Sequence, residues 1–220
     1  MERIMIFAPH PDDDIIACGG SIAKHVQKGN SVSIVYISSG EAGSLSYPPE
    51  ELANIREEEA RRAAAVLGVT DLSFLRKPDG YISFDREAME KIIRLIRSKK
   101  PTRIYLPHAQ ESVRDHQQTH QLVIEACKRA SGPWFQTCGQ EPWSITSILA
   151  YEVWTPLQNF TLTEDISDFI TIKLAALREH QSQITDIAYD EAIQGLNRYR
   201  GITSGAGQYC ECFQLIKAQG

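Results

Sequence analysis

A chain of 220 residues, 42% apolar and 23% charged, is long enough to bury one sizeable core, and its makeup excludes the fibrous and disordered classes. A formal net charge of −5 gives no electrostatic pull toward nucleic acid or an anionic membrane, so neither is expected as a partner. Apolar runs such as "SVSIVYI" are strand length, short of the roughly 20 residues a membrane helix needs, and "MERIMIFAPH" lacks a signal-peptide pattern, so the expected compartment is the cytoplasm.

In chain order, residues 3 to 8 ("RIMIFA") read as the first strand, 14 to 28 as the helix it feeds, and 32 to 38 as the second strand. A Gly/Ser/Pro-rich loop, "SSGEAGSLSYPPE", leads into a charged helix over 49 to 66 whose Leu52, Ile55, Ala60, Ala63, Ala64 and Leu67 keep helical spacing. "LSFL" reads as a strand and "KPDGY" as a turn, and Asp85 can cap a helix with Met89, Ile92, Ile93 and Ile96 on one face. "TRIYLP" (102 to 107) is a strand and "DHQQTHQLVIEACKRA" (115 to 130) a helix, while 131 to 144 has the composition of a long loop. "SILAYEVW" is a further strand, 164 to 183 reads as helical, and "QYCECFQLI" as a last strand. Strands alternating with amphipathic helices predict one α/β domain over 1–220, a three-layer Rossmann-like fold with a mostly parallel sheet. The five cysteines show no paired zinc spacing and are expected as free thiols. His25 is expected to be structural, Tyr151 and Trp154 in the core, and Arg198 and Arg200 on the surface.

The chemistry concentrates in "HPDDD", directly after the first strand. In open parallel sheets, ligands bind outside the carboxyl ends of the strands. Pro11 stiffens the turn and holds His10, Asp12 and Asp13 in a fixed fan. Imidazole nitrogen and carboxylate oxygen both ligate zinc, and three protein ligands leave a fourth position for water. Helix capping accounts for one or two of the aspartates but gives no reason for His10. A further ligand is expected at the end of another strand, where His108, His116 and His120 are the candidates and Asp115 is placed to fix a ligating group. Gly19 and Gly20 belong to no nucleotide-binding pattern.

"APHPDDDIIACGG", followed about a hundred residues later by "RDHQQTH", resembles the zinc-dependent sugar de-N-acetylases of the PIG-L/LmbE-like family. "SSGEAGS", "IREEEARRAAAVLGV", "KPDGY", "YEVWTP" and "HQSQ" are similar to further segments of that family, so the resemblance spans nearly the whole chain. It implies Zn2+ held by His10, Asp13 and His116, with Asp12 as general base. It also implies an amidohydrolase releasing acetate from an N-acetylated amino sugar, an N-acetylglucosaminyl conjugate, and a homo-oligomeric assembly. Arg56 and His180 gain a substrate-binding role from the same resemblance; Glu41 and Asp79, in Gly-flanked turns, are candidates for substrate contact that turn chemistry alone also explains. Asp14 stands where the family commonly has glutamate, and Val113 where it often has the histidine that holds the oxyanion, leaving His108, Arg114 or His120 to fill that role. Two other readings remain: a metal-dependent phosphoesterase, which calls for carboxylates where this chain has histidines, and a silent sugar-binding member of the fold, which gives Asp12 no task.

Overall fold

The computed structural model describes residues 1–139, 141–185 and 187–218. Seven strands form one sheet in the order β3-β2-β1-β4-β5-β7-β6. Strands β1 (Arg3–Ala8), β2 (Ser31–Ser38), β3 (Asp71–Lys77), β4 (Arg103–Pro107) and β5 (Ser147–Tyr151) run parallel. The last strand, β7 (Cys210–Ala218), lies antiparallel to both β5 and β6 (Leu162–Asp165).

Near-continuous apolar runs are what a sheet covered on both faces requires. In β1, Ile4 and Ile6 enter one core with helices α1 (Asp13–Gln27) and α2 (Pro49–Val66), while Met5 and Phe7 enter the other with α3 (Arg86–Lys99) and α4 (Arg114–Ala130). Local chemistry sets the helix ends. Pro49 opens α2 with a preset φ, followed by Glu50 and Glu51 in the first turn. Asp85 accepts from the Ala88 amide at the start of α3, whose Met89, Ile92, Ile93 and Ile96 are all buried.

Two regions depart from the sequence-based expectation. The helix expected over 164 to 183 is divided: Leu162–Asp165 pairs with β7, the Asp165 carboxylate then accepts from the Ser167 amide, and helices α5 (Ile170–Leu177) and α6 (Gln181–Ile184) follow. A further helix, α7 (Tyr189–Ser204), was not expected because its buried residues are Ile193, Asn197, Arg200 and Gly201, a face without an apolar stripe. Arg200, expected on the surface, is buried in a bidentate pair with Glu152 (3.0 and 2.6 Å). Trp154, expected in the core, is 38% exposed and tilts against Tyr189.

Helix α1 is broken at Cys18 (φ −142°, ψ 23°). A buried ion pair from distant elements fills the break. Glu211 of β7 accepts from the amides of Gly20 (2.9 Å) and Ser21 (2.8 Å), capping the second segment, while Lys173 of α5 donates to the Ile16 carbonyl (2.9 Å) and meets Glu211 at 2.7 Å. Added Cβ atoms at Gly19 and Gly20 would come within 3.0 Å of Lys173 Cγ and 2.7 Å of Ile166, so both glycines answer to close packing.

The parallel strands deliver their exits to one edge of the sheet. Between β1 and β4 the strand order changes direction, the place where open α/β sheets leave a crevice. His10 follows β1 and His116 follows β4, so the topology alone brings the two motifs together.

Candidate active site

Asp12 sits at φ 122°, a backbone region that non-glycine residues seldom occupy. Its carbonyl accepts from the amides of Ile15 and Ile16 and starts α1, but its side chain makes no cap hydrogen bond. The carboxylate turns instead to Arg56, whose Nη2 lies 3.2 Å from Asp12 Oδ2 and donates at 2.7 Å to the Pro11 carbonyl. Arg56 Nη1 reaches the Gly40 carbonyl at 3.1 Å, so one guanidinium, only 4% exposed, ties the β1–α1 turn to the loop after β2. Gly40 is at φ 70° and a Cβ there would overlap the guanidinium, which is why this position has no side chain.

Asp13 points into the crevice. Its Oδ2 accepts from the His10 amide at 2.9 Å and lies 3.2 Å from His10 Nδ1 and 3.3 Å from His116 Nε2. His116 is 0% exposed, and neither of its ring nitrogens makes a hydrogen bond. A buried imidazole without partners is costly unless a ligand takes its lone pair. His10, Asp13 and His116 offer three ligand atoms within 4.8 Å of one another, a donor set of two nitrogens and one oxygen that suits zinc-like metals.

The far nitrogen of His10 is held from behind. Its Nε2 lies 3.0 Å from Asp79 Oδ1 and 3.2 Å from Asp115 Oδ2, and Asp115 also accepts from the amides of Gly80 (2.7 Å) and Ile82 (3.1 Å). A carboxylate on the far nitrogen fixes the ring's tautomer and orientation for a metal at the near one. Glu41, through Oε1, accepts from the Asp79 amide at 2.8 Å. The carboxylates of Glu41 and Asp79, both expected as substrate contacts, lie against the loop and His10.

The structure places His108 and His120, both expected near the reacting centre, against backbone groups. His108 Nε2 donates to the Thr155 carbonyl (2.7 Å) and Nδ1 accepts from the Gln110 amide (3.1 Å), which leaves no ring nitrogen for an oxyanion. His120 Nδ1 donates to the Pro107 carbonyl (2.8 Å), and its ring lines a separate cavity with Ala109, Gln110 and Leu157. Arg114 is exposed, and Val113 starts α4 without a capping side chain. His180 is fully buried with both ring nitrogens unpartnered. Glu111, unnoticed in the sequence, is buried and accepts from the amides of Val153 (2.7 Å), Trp154 and Thr155, holding the exit of β5; an acidic residue between His108 and His116 was its one signal.

These surroundings shift the titrations. Burial raises the Asp12 carboxyl to about 7, although Arg56 pulls the other way. Burial also opposes charge on Asp13, but His116 and His10 outweigh it and hold that carboxyl well below the usual range. Burial, then the charges of Arg56 and Arg62, push His180 down to about 3, so its imidazole is neutral at pH 7. A cavity of about 440 Å³ opens beside Arg56 between the loop at 42–46 and the residues around α6.

Residues 5–127 match the family described as PIG-L: GlcNAc-PI de-N-acetylase. A diacetylchitobiose deacetylase of Thermococcus kodakarensis is 31% identical over 228 residues, covering 98% of this chain and 84% of the relative. The solved structure of N,N'-diacetylchitobiose deacetylase from Pyrococcus horikoshii, complexed with its inhibitor MPG, is similar with a TM-score of 0.89 at 29% identity, covering 98% of this chain and 84% of the other. GalB, the 4-carboxy-2-hydroxymuconate hydratase of Pseudomonas putida KT2440, has a TM-score of 0.85 at 22% identity, covering 100% of this chain and 98% of GalB, a likeness of fold alone.

Proposed function

The chain belongs to the PIG-L family, and from that membership we propose an enzyme that hydrolyses the acetamide of an N-acetylglucosaminyl conjugate, with zinc at His10, Asp13 and His116. One observation carries the assignment: His116, fully buried and without a hydrogen bond, converges with His10 on the carboxylate of Asp13. When bound, zinc supplies Lewis acidity and brings the ionisation of water within reach of neutral pH.

The chain's own residues do the rest. Asp12, next in sequence to a ligand yet directed at Arg56, takes the proton of the attacking water on its carboxylate. Burial favours the protonated form of this carboxyl, and it returns the proton to the leaving nitrogen. An amine departs and acetate remains. Arg56 keeps the Asp12 carboxylate facing the crevice and bars it from capping α1. Asp115 and Asp79 hold the His10 ring so that Nδ1 faces Asp13. His180, its ring nitrogens unpartnered, stands at the sugar end of the site as a substrate contact, while Arg56 acts on the substrate through the carboxylate of Asp12 that it holds.

The same assignment takes residues 1–220 as one catalytic domain, supported by the single sheet that runs from β3 to β6. Free, buried cysteines support a reducing compartment such as the cytoplasm, and no helix among the described residues is long and apolar enough to cross a membrane.

The experiment is acetate release from N-acetylglucosamine conjugates by metal-loaded, chelator-treated and zinc-restored protein, beside the Asp12→Asn variant. Turnover should vanish with chelation, return with zinc, and fall by about 10²–10⁴ in Asp12→Asn while zinc stays bound. Undiminished turnover in metal-free protein would overturn the metal-assisted scheme.

A further inference from the structure

The cavity beside Arg56 restricts what the amino sugar can carry. Its walls include Ser44, Ser46, Gln183, Leu45, Ile187 and Tyr189, and no described residue lining it has a charged side chain. The cavity adjoins the reacting centre through Gly43, where a Cβ would lie 2.7 Å from Arg56 Nη1, the guanidinium that meets Asp12. Arg56 lies against Gly43 of the cavity wall, but its Nη groups are already engaged by the Gly40 and Pro11 carbonyls and Asp12, with Nε enclosed away from solvent. The other arginines of α2 are also committed: Arg61 to Glu57, and Arg62 to Glu179.

The same strand ends gather Asp12, Asp13, Asp79, Asp115 and Glu41. A dication at the triad together with Arg56 leaves those carboxylates in excess. An anionic group entering the cavity would lose hydration without gaining a cation and would meet a field of its own sign.

Resting on the de-N-acetylase assignment above, we propose that the group borne by the amino sugar is uncharged, a second sugar or other polyol, and that conjugates carrying a carboxylate or phosphate there are rejected. A glycosyl group finds hydroxyl and amide partners in Ser44, Ser46 and Gln183. Tyr189, its ring 5.0 Å from that of Trp154, supplies the apolar wall on which sugar faces rest. The selection is electrostatic and comes from missing cations, so it is reversible by adding one.

The decisive comparison sets N,N'-diacetylchitobiose against N-acetylglucosaminyl malate and N-acetylglucosamine 1-phosphate on the zinc-loaded protein. The neutral substrate should lead in kcat/KM by at least about tenfold. Raising salt from about 0.05 to 0.5 M should speed the anionic conjugates by screening repulsion and leave the neutral one unchanged. Ser46→Arg should narrow the gap about tenfold by placing a guanidinium at the rim. Anionic conjugates turned over as fast as the neutral one, or slowed by salt, would overturn the proposal. Calorimetric binding of the same three compounds to Asp12→Asn protein ranks them without turnover. Failure to hydrolyse any of them would therefore count against the amidase assignment, while the binding order still decides the question of charge.

Discussion

Replacing Lys173 with methionine probes the ion pair that fills the break in α1. Lys173 and Glu211 are each 0% exposed at the side chain and meet at 2.7 Å. At an effective dielectric of about 20 their attraction is of order 6 kcal/mol, and withdrawing both charges from water costs several kcal/mol per ion, so the intact pair contributes little net stability. Removing one partner is a different matter. In Lys173→Met the Glu211 carboxylate stays buried with only the Gly20 and Ser21 amides for company, which should cost about 3–5 kcal/mol. For a chain of this size that corresponds to a fall in Tm of roughly 6–20 °C. The double variant Lys173→Met/Glu211→Gln removes both charges, keeps one amide acceptor and should recover much of the loss. Urea denaturation with unchanged m-values is the assay. A single variant within about 1 kcal/mol of the parent, or a double variant no better than the single, would refute the uncompensated-charge reasoning.

Asp115→Asn should weaken zinc binding by about 10–100-fold, because His10 loses part of the carboxylate support behind its Nε2; titration against a chromophoric chelator measures it, and unaltered affinity would dissociate Asp115 from the metal. Gly40→Ala at φ 70° should cost about 1–3 kcal/mol and displace the Arg56 guanidinium, lowering turnover as well as Tm. His180, held near 3 by burial, stays neutral in the fold while the unfolded chain takes up a proton below about 6.5. Its contribution is therefore complete above pH 6.5 and falls as pH drops toward 3, by up to about 1.4 kcal/mol per pH unit. His180→Leu should flatten the decline between pH 6.5 and 5, and an identical decline in both proteins would exclude His180 as its source.

Much of this was legible from the chain because the informative residues lie close to their strands. In "HPDDD" helix capping accounts for one or two aspartates and leaves His10 without a reason; in the structure the Asp12 side chain makes no cap hydrogen bond to α1. Periodicity located α3, with its apolar face and Asp85 cap, since burial there is by apolar residues at helical spacing. The same signal failed at α7, where Asn197 and Arg200 occupy the buried face, and at β6, a four-residue edge strand that owes its form to β7. Within the site, proximity in sequence said nothing about where a ring would turn. His108 and His120 neighbour the second motif, yet backbone carbonyls capture both. Asp79 was self-explanatory as a turn residue, so its reach across to His10 left no trace in the local pattern.

The position of β7 has a consequence for how the protein is made. It enters the sheet between β5 and β6 and is the last of the seven strands to leave the ribosome. Until Glu211 arrives, the Gly20 and Ser21 amides of a helix near the N-terminus wait uncapped, and β6 has no neighbour to pair with. The nascent protein can thus gather its five parallel strands early but cannot set the bend behind Asp13 until β7 emerges, so the crevice is completed by its last strand rather than built up progressively.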